Sequence, residues 1–127
     1  MSTREMTTAN FAEMIGKGTV LVDWWASWCG PCRAFGPTYE AAAARHPEAT
    51  FAKIDTEAEE GLASAFQIRA IPTLMVFRDG ILLFRQAGAL SAPALEEFLR
   101  RAAEIDMNDV QKKVAEDEAA KPKAVAV

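Results

Sequence analysis

The most constraining stretch of this sequence is Val20-Leu21-Val22-Asp23-Trp24-Trp25, a β-prone run in which apolar residues do not alternate with polar ones. A strand that is apolar on both faces has to be covered on both faces, which places it inside a sheet with helices on either side. Within a few residues the run gives way to Cys29-Gly30-Pro31-Cys32 and an alanine-rich stretch, predicting a helix over Cys29 to Arg45 that stops before His46-Pro47. Pro37 falls inside that helix and is expected to kink it.

The flanking sequence continues the alternation. Upstream, Phe11, Met14 and Ile15 have helical spacing, with Thr7 expected as the N-cap and Gly16 and Gly18 as the stop. Downstream, Thr50 to Asp55 reads as a short strand and roughly Glu57 to Phe66 as a weaker helix leading to Ile68 and Ile71-Pro72. Leu74 to Phe77 and Ile81 to Arg85 flank Asp79-Gly80, the dipeptide that most readily takes the positive φ angles of a tight hairpin turn. Ser91 is placed to cap a last helix with Leu95, Phe98, Leu99 and Ala102 on one face, and Leu90 to staple against Leu95. The order predicts an α/β fold, with helices on both faces of a mixed sheet.

The chain's 127 residues, 50% of them hydrophobic, suffice for one core without cross-links. No segment repeats, but after Ala103 large apolar residues thin out and charge rises. The core domain is therefore placed at residues 1–103 and a carboxy-terminal extension at 104–127. In the extension Met107, Val110 and Val114 mark one side of an amphipathic helix, or of a prolonged last helix, before Lys121-Pro122-Lys123 and a flexible tail. With 14 Lys and Arg against 18 Asp and Glu, a net charge of −4, there is no basic face for a nucleic-acid backbone. No apolar run approaches the roughly 20 residues of a membrane helix. Met1 to Asn10 has no apolar core of a signal peptide. The expectation is a cytoplasmic, monomeric protein without membrane or nucleic-acid partners.

A reducing compartment makes the two cysteines, Cys29 and Cys32, informative, since a pair there is more often catalytic or metal-binding than structural. A disulfide closing so small a loop contributes only about 2 kcal/mol in the chain-entropy model, a weak reason for a purely structural bond. Structural zinc takes four ligands, and beyond the pair the chain offers only His46, better read as a cation at a helix C-terminus, so no metal is expected. An exchanging dithiol remains. A strand-to-helix junction puts Cys29 at unpaired amides and the positive end of a helix dipole, where a thiolate is favoured. Gly30-Pro31 makes the turn that brings the sulfurs within reach, and Cys32, one turn deeper, is expected to be shielded. Asp23, embedded among Val20, Val22 and Trp24, would hold its proton tightly and is the natural acceptor for the proton of Cys32.

The stretch from Val22 through Trp28-Cys29-Gly30-Pro31-Cys32 resembles the active-site segment of the thioredoxin family, and Ile71-Pro72-Thr73 resembles that family's cis-proline segment. The similarity runs from about Asn10 to Ala103 through Pro37, Ala52-Lys53, Asp79-Gly80 and Gly88-Ala89, leaving the extension outside. It implies the thioredoxin fold, a three-layer α/β/α arrangement around a mixed sheet of four to five strands. It also implies a protein-disulfide reductase for electron transport and cell redox homeostasis. Such a protein binds no cofactor and is recharged from NADPH by a flavin-dependent thioredoxin reductase, with disulfide-containing proteins as clients.

By the same resemblance Pro72 is cis and catalytic, Lys53 neighbours Asp23 and modulates its pKa, and Trp28, Pro31, Ile71, Pro72, Gly88 and Ala89 form the surface on which clients sit. An extended client segment would pair with the backbone of Ile71. Trp24 stands where the family more often has phenylalanine, and the short stretch before Phe11 leaves room only for a rudimentary first strand. Alternatives within the fold are a disulfide oxidase or isomerase, and a non-catalytic binding subunit. Gly30-Pro31 resembles the reductant version, because a histidine there would stabilise the reduced thiolate and make the pair more oxidising.

Overall fold

A computed structural model describes residues 2–120, and the segment Lys121-Pro122-Lys123 with the tail lies outside them. The elements in chain order are β1 (Thr3–Glu5), α1 (Phe11–Ile15), β2 (Thr19–Trp25), α2 (Gly30–Arg45), β3 (Thr50–Asp55), α3 (Glu60–Ala65), β4 (Thr73–Arg78), β5 (Ile81–Ala87), α4 (Ala92–Ala103) and α5 (Met107–Ala120). The strands form one five-stranded sheet in the order β1-β3-β2-β4-β5. β3 is parallel to β1 and β2, while β4 is antiparallel to both β2 and β5.

β2 is central because its residues allow nothing else. Val20 through Trp24 are all fully buried, so both faces need cover. One face packs Leu21, Phe51, Leu74 and Val76 against Phe35 and Tyr39 of α2 and Leu95, Phe98 and Ala102 of α4. The other packs Val20, Val22, Trp24, Ile54, Met75 and Phe77 against Phe11, Met14 and Ile15 of α1 and Leu62 of α3. Asp23 lies on the α2 side, in register with Lys53 on one neighbouring strand and Leu74 on the other.

Most element boundaries follow the local signals. Asp79 and Gly80 both take positive φ, 50° and 86°, as the hairpin turn requires. Ser91 Oγ accepts from the Ala94 N–H at 3.2 Å and starts α4, and Leu90 packs against the cluster containing Leu95. α2 runs through Pro37 to Arg45 without interruption. β1 is present as three residues paired to β3. α5 is a separate helix rather than a continuation of α4, with Met107, Val110 and Val114 half-buried.

Two helix starts differ from the local reading. α1 is not capped by Thr7: the Thr7 N–H donates to Asn10 Oδ1 at 2.7 Å, and the turn so formed delays the helix to Phe11. α3 begins at Glu60 rather than Glu57, because Asp55 Oδ1 accepts from the Glu57 N–H at 2.9 Å and holds the intervening residues in a turn.

Candidate active site

The parallel strands β2 and β3 end on the same side of the sheet, where β4 begins and β5 ends, and in an open α/β sheet ligands meet that edge. There β2 hands over to α2 through Ala26 to Cys29. Cys29 has extended backbone, φ −83° and ψ 112°, and its sulfur occupies the position an N-cap oxygen would take, accepting from the Cys32 N–H at 3.2 Å. Pro31 fits the first turn, where its missing N–H costs nothing. The first helical turn brings the two Cα atoms to 5.2 Å and the sulfurs are joined as a disulfide. Cys32 is shielded, 3% exposed, and in this oxidised form Cys29 is shielded as well, 4% exposed, because Ala26, Trp25 and Ile71 pack around both.

Asp23 is fully buried below this junction, and neither carboxylate oxygen has a hydrogen-bond partner among the described residues. Burial pushes its pKa up to about 7, against a smaller lowering by the Lys53 ammonium. Lys53 pairs with Asp23 in the register of β2 and β3, and its Nζ lies 4.4 Å from the centre of the Trp25 ring. Tyr39 of α2 is buried nearby with its hydroxyl donating to the Ala52 carbonyl at 2.8 Å. Burial, and next the Asp23 charge, hold its pKa well above the ordinary tyrosine value.

The loop before β4 completes the site. The Ile71-Pro72 peptide bond is cis, and the Ile71 carbonyl oxygen lies 3.7 Å from Cys29 Sγ across 42 residues of sequence. Pro72 is buried, and its carbonyl accepts from the Gly88 N–H at 2.8 Å. Gly88 has φ 95°, a conformation that a side chain would strain, and with Ala89 it is exposed next to that bond. Trp28 is 64% exposed, so it is a surface residue, while Trp24 is core and Trp25 half-buried. Trp28 and Ile71 line a shallow groove of about 200 Å³ with Thr56, Ile68 and Arg69. Pro31 is exposed on the helix side of the cysteines.

Two participants were not legible in the sequence. Glu57, read as the first residue of a helix, accepts a hydrogen bond from Trp28 Nε1. Thr56 ties the same turn to the end of β2, its N–H donating to the Trp25 carbonyl at 2.9 Å. No local pattern announces either, since both depend on where the β3 end falls in the sheet.

A cleft of about 520 Å³ lined by His46, Arg78, Glu96 and Leu99 lies at the opposite end of the sheet from the cysteines. Its depth does not make it the reactive centre: small-molecule sites are concave, but exchange with a protein disulfide needs an open surface. Among the described residues no group of three or more His, Cys, Asp or Glu could hold a metal ion, and no helix is long and apolar enough to cross a membrane.

Comparison with known proteins agrees with this arrangement. A family model described as Thioredoxin matches residues 2–101. A putative thioredoxin 2 of Streptomyces coelicolor is 48% identical over 119 residues, covering 93% of this chain and 89% of that protein. A thioredoxin of Chlamydia muridarum is 40% identical over 92 residues, 72% of this chain and 90% of its own. Among solved structures, a mutant thioredoxin from Halobacterium salinarum superposes with a TM-score of 0.75 at 30% identity, covering 82% of this chain and 93% of that one. The disulfide at the head of α2 and these relatives together mark a thiol-disulfide oxidoreductase, a protein-disulfide reductase, and the chain belongs to the thioredoxin family.

Proposed function

We propose that reduction proceeds by two exchanges at the head of α2. In the reduced protein the Cys29 thiolate attacks one sulfur of a client disulfide. A Cys29–client mixed disulfide forms and the other client sulfur leaves as a thiolate. Cys32 then loses its proton and attacks Cys29 Sγ, which closes the Cys29–Cys32 disulfide and releases the second client sulfur. The client gains two electrons and the protein loses two. The observation that carries this reading is the Cys32 N–H held 3.2 Å from Cys29 Sγ at the start of a sixteen-residue helix, an arrangement that favours negative charge on that sulfur.

Asp23 takes the proton of Cys32. Its support is position and affinity together: it lies on the face of β2 that α2 covers, and a pKa of about 7 lets it both accept and release a proton at neutrality. Lys53 keeps that value from rising further. Trp28, Pro31, Ile71, Pro72, Gly88 and Ala89 form the client platform, with the Ile71 backbone available to an extended segment. Residues 1–103 carry the activity and 104–127 are an extension outside it. In the cytoplasm the disulfide would be re-reduced with electrons from NADPH through a flavin-dependent thioredoxin reductase, serving electron transport and redox homeostasis.

The test is reduction of a protein disulfide with NADPH and thioredoxin reductase, comparing wild type with Cys29→Ser, together with the rate of iodoacetamide alkylation of the reduced protein at pH 7. Cys29→Ser should be inactive, and Cys29 should alkylate faster than a thiol in an unfolded peptide. Equal turnover, or an ordinary alkylation rate, defeats the reading. A redox equilibrium with glutathione corresponding to a potential above about −200 mV would place the protein with the oxidants instead.

A further inference from the structure

Residues 66–72, which carry Ile71 and Pro72 from α3 to β4, have no helix or strand of their own, yet they set the 3.7 Å approach of Ile71 to Cys29 Sγ. Their rigidity is therefore supplied by other elements. At the start, the Phe66 ring is anchored among Phe11, Trp24 and Phe77, with centroids 5.3, 5.6 and 6.1 Å away. At the end, the Ala70 carbonyl accepts from Thr73 Oγ1 and the Pro72 carbonyl from the Gly88 N–H. Between these points the chain turns out of α3 at Gln67, whose φ of 53° is left-handed and unfavourable for a residue with a side chain. The Gln67 N–H donates to the Ser64 carbonyl and the Ile68 N–H to the Ala63 carbonyl, so the helix end is closed and the carbonyls of Phe66 and Gln67 are left for another donor.

That donor is Arg85. Its Nη1 reaches the Phe66 carbonyl at 2.7 Å and its Nη2 the Gln67 carbonyl at 3.4 Å. Arg85 pairs with Met75 in the sheet and so projects from the α3 side of β5. Among the described residues it makes no ion pair, which leaves the two carbonyls as its function in the fold. A planar guanidinium can span two adjacent acceptors, whereas an ammonium offers a single point charge. The edge strand β5 and the residue that follows it thus grip the loop twice, through Arg85 near the exit of α3 and through the Gly88 backbone beside Pro72.

We propose that Arg85 is a positioning residue for protein-disulfide reduction: by bridging the carbonyls of Phe66 and Gln67 it fixes the direction in which the chain leaves α3, and so the placement of the Ile71 backbone that receives the client. This rests on the reading that Ile71 and Pro72 carry the client. Arg85 touches neither sulfur, so its loss should alter client docking and leave the intrinsic exchange alone.

The experiment compares wild type, Arg85→Met and Arg85→Lys on a protein disulfide and on a small aromatic disulfide too short to pair with the loop backbone. Arg85→Met should raise KM for the protein about fivefold with kcat within twofold, and leave the small disulfide and Cys29 alkylation unchanged; Arg85→Lys should fall between. Unchanged KM for the protein, or equal losses on both substrates, overturns the proposal. Should Arg85→Met not fold, Arg85→Lys together with amide exchange at Ile68 to Ile71 decides: faster exchange with a raised KM supports the proposal, and any other combination overturns it. A client peptide disulfide whose backbone N–H groups beside the cysteine are methylated separates the two levels. If it is reduced with the same KM as the unmethylated peptide, the docking reading falls and the Arg85 proposal with it; if its KM is raised and Arg85→Met does not raise KM, only the Arg85 proposal falls.

Discussion

The two ends of α2 are built on opposite terms. At the amino end a sulfur replaces the usual capping oxygen, an aspartate is buried beneath without a partner among the described residues, and the exposed side chain is a tryptophan. At the carboxyl end His46 caps the helix with both ring nitrogens engaged, Nε2 with Glu96 at 2.8 Å and Nδ1 with Glu48 at 3.1 Å, while Arg45 reaches Glu96 at 2.7 Å. Every charge there has an opposite charge and access to water. The contrast teaches that the reactive end is held together by the rest of the fold, since its own groups oppose burial, whereas the far end is locally satisfied and contributes little beyond joining α2 to α4.

The largest separation of the two ends comes from Cys32→Ser. Turnover should cease and client mixed disulfides on Cys29 should accumulate, detectable by non-reducing electrophoresis, whereas no substitution at His46 should change turnover. Continued turnover without Cys32 would remove the resolving step.

Asp23→Asn is next. A carboxyl whose pKa rises from 3.8 to about 7 on folding binds its proton more tightly in the native state, so stability falls as pH climbs from about 4 to 7 and then levels off. The shift corresponds to a penalty on the order of 4 kcal/mol above pH 7. A buried amide keeps a desolvation cost of roughly 1–3 kcal/mol. The variant should therefore be more stable than wild type at pH 8 by a few kcal/mol or less, with that pH slope flattened, and slower in turnover by about 10²-fold. Denaturant titrations at pH 5 and pH 8 check the first claim, and an unchanged slope would mean that Asp23 is not the group responsible.

The smallest effect belongs to the carboxyl end. His46 is held protonated to higher pH than usual, first by its hydrogen bond to Glu96 and then by that to Glu48. Its contribution is complete below the ordinary histidine pKa and lost as pH rises through the elevated one. His46→Gln should cost no more than about 1 kcal/mol at pH 6 and nothing measurable at pH 9, because the pairs are partly exposed and screened. A larger cost that persists at pH 9 would show that packing of the ring on Phe51, at a centroid distance of 6.4 Å, matters more than charge.

Much of this was legible without coordinates where the cause is local. The buried strand, the capped helix at Ser91, the positive-φ turn at Asp79-Gly80 and the Cys29-Cys32 junction all follow from neighbouring residues. The starts of α1 and α3 were misplaced because Asn10 and Asp55 bond to nearby N–H groups and form turns that compete with helix. Glu57 and Arg85 gave no signal at all, since each has its role only through a partner on another element.

Sequence alone determined which segments are buried, where the chain turns and which residues carry redox chemistry, because hydrophobic periodicity, cap chemistry and thiol spacing act within a few residues. Tertiary structure alone decided that Asp23 sits opposite Lys53, that Ile71 stands over Cys29, and that β5 steadies the loop between. Those relations depend on strand order and register, which are set by the packing of both faces of the sheet at once and by no single stretch of chain.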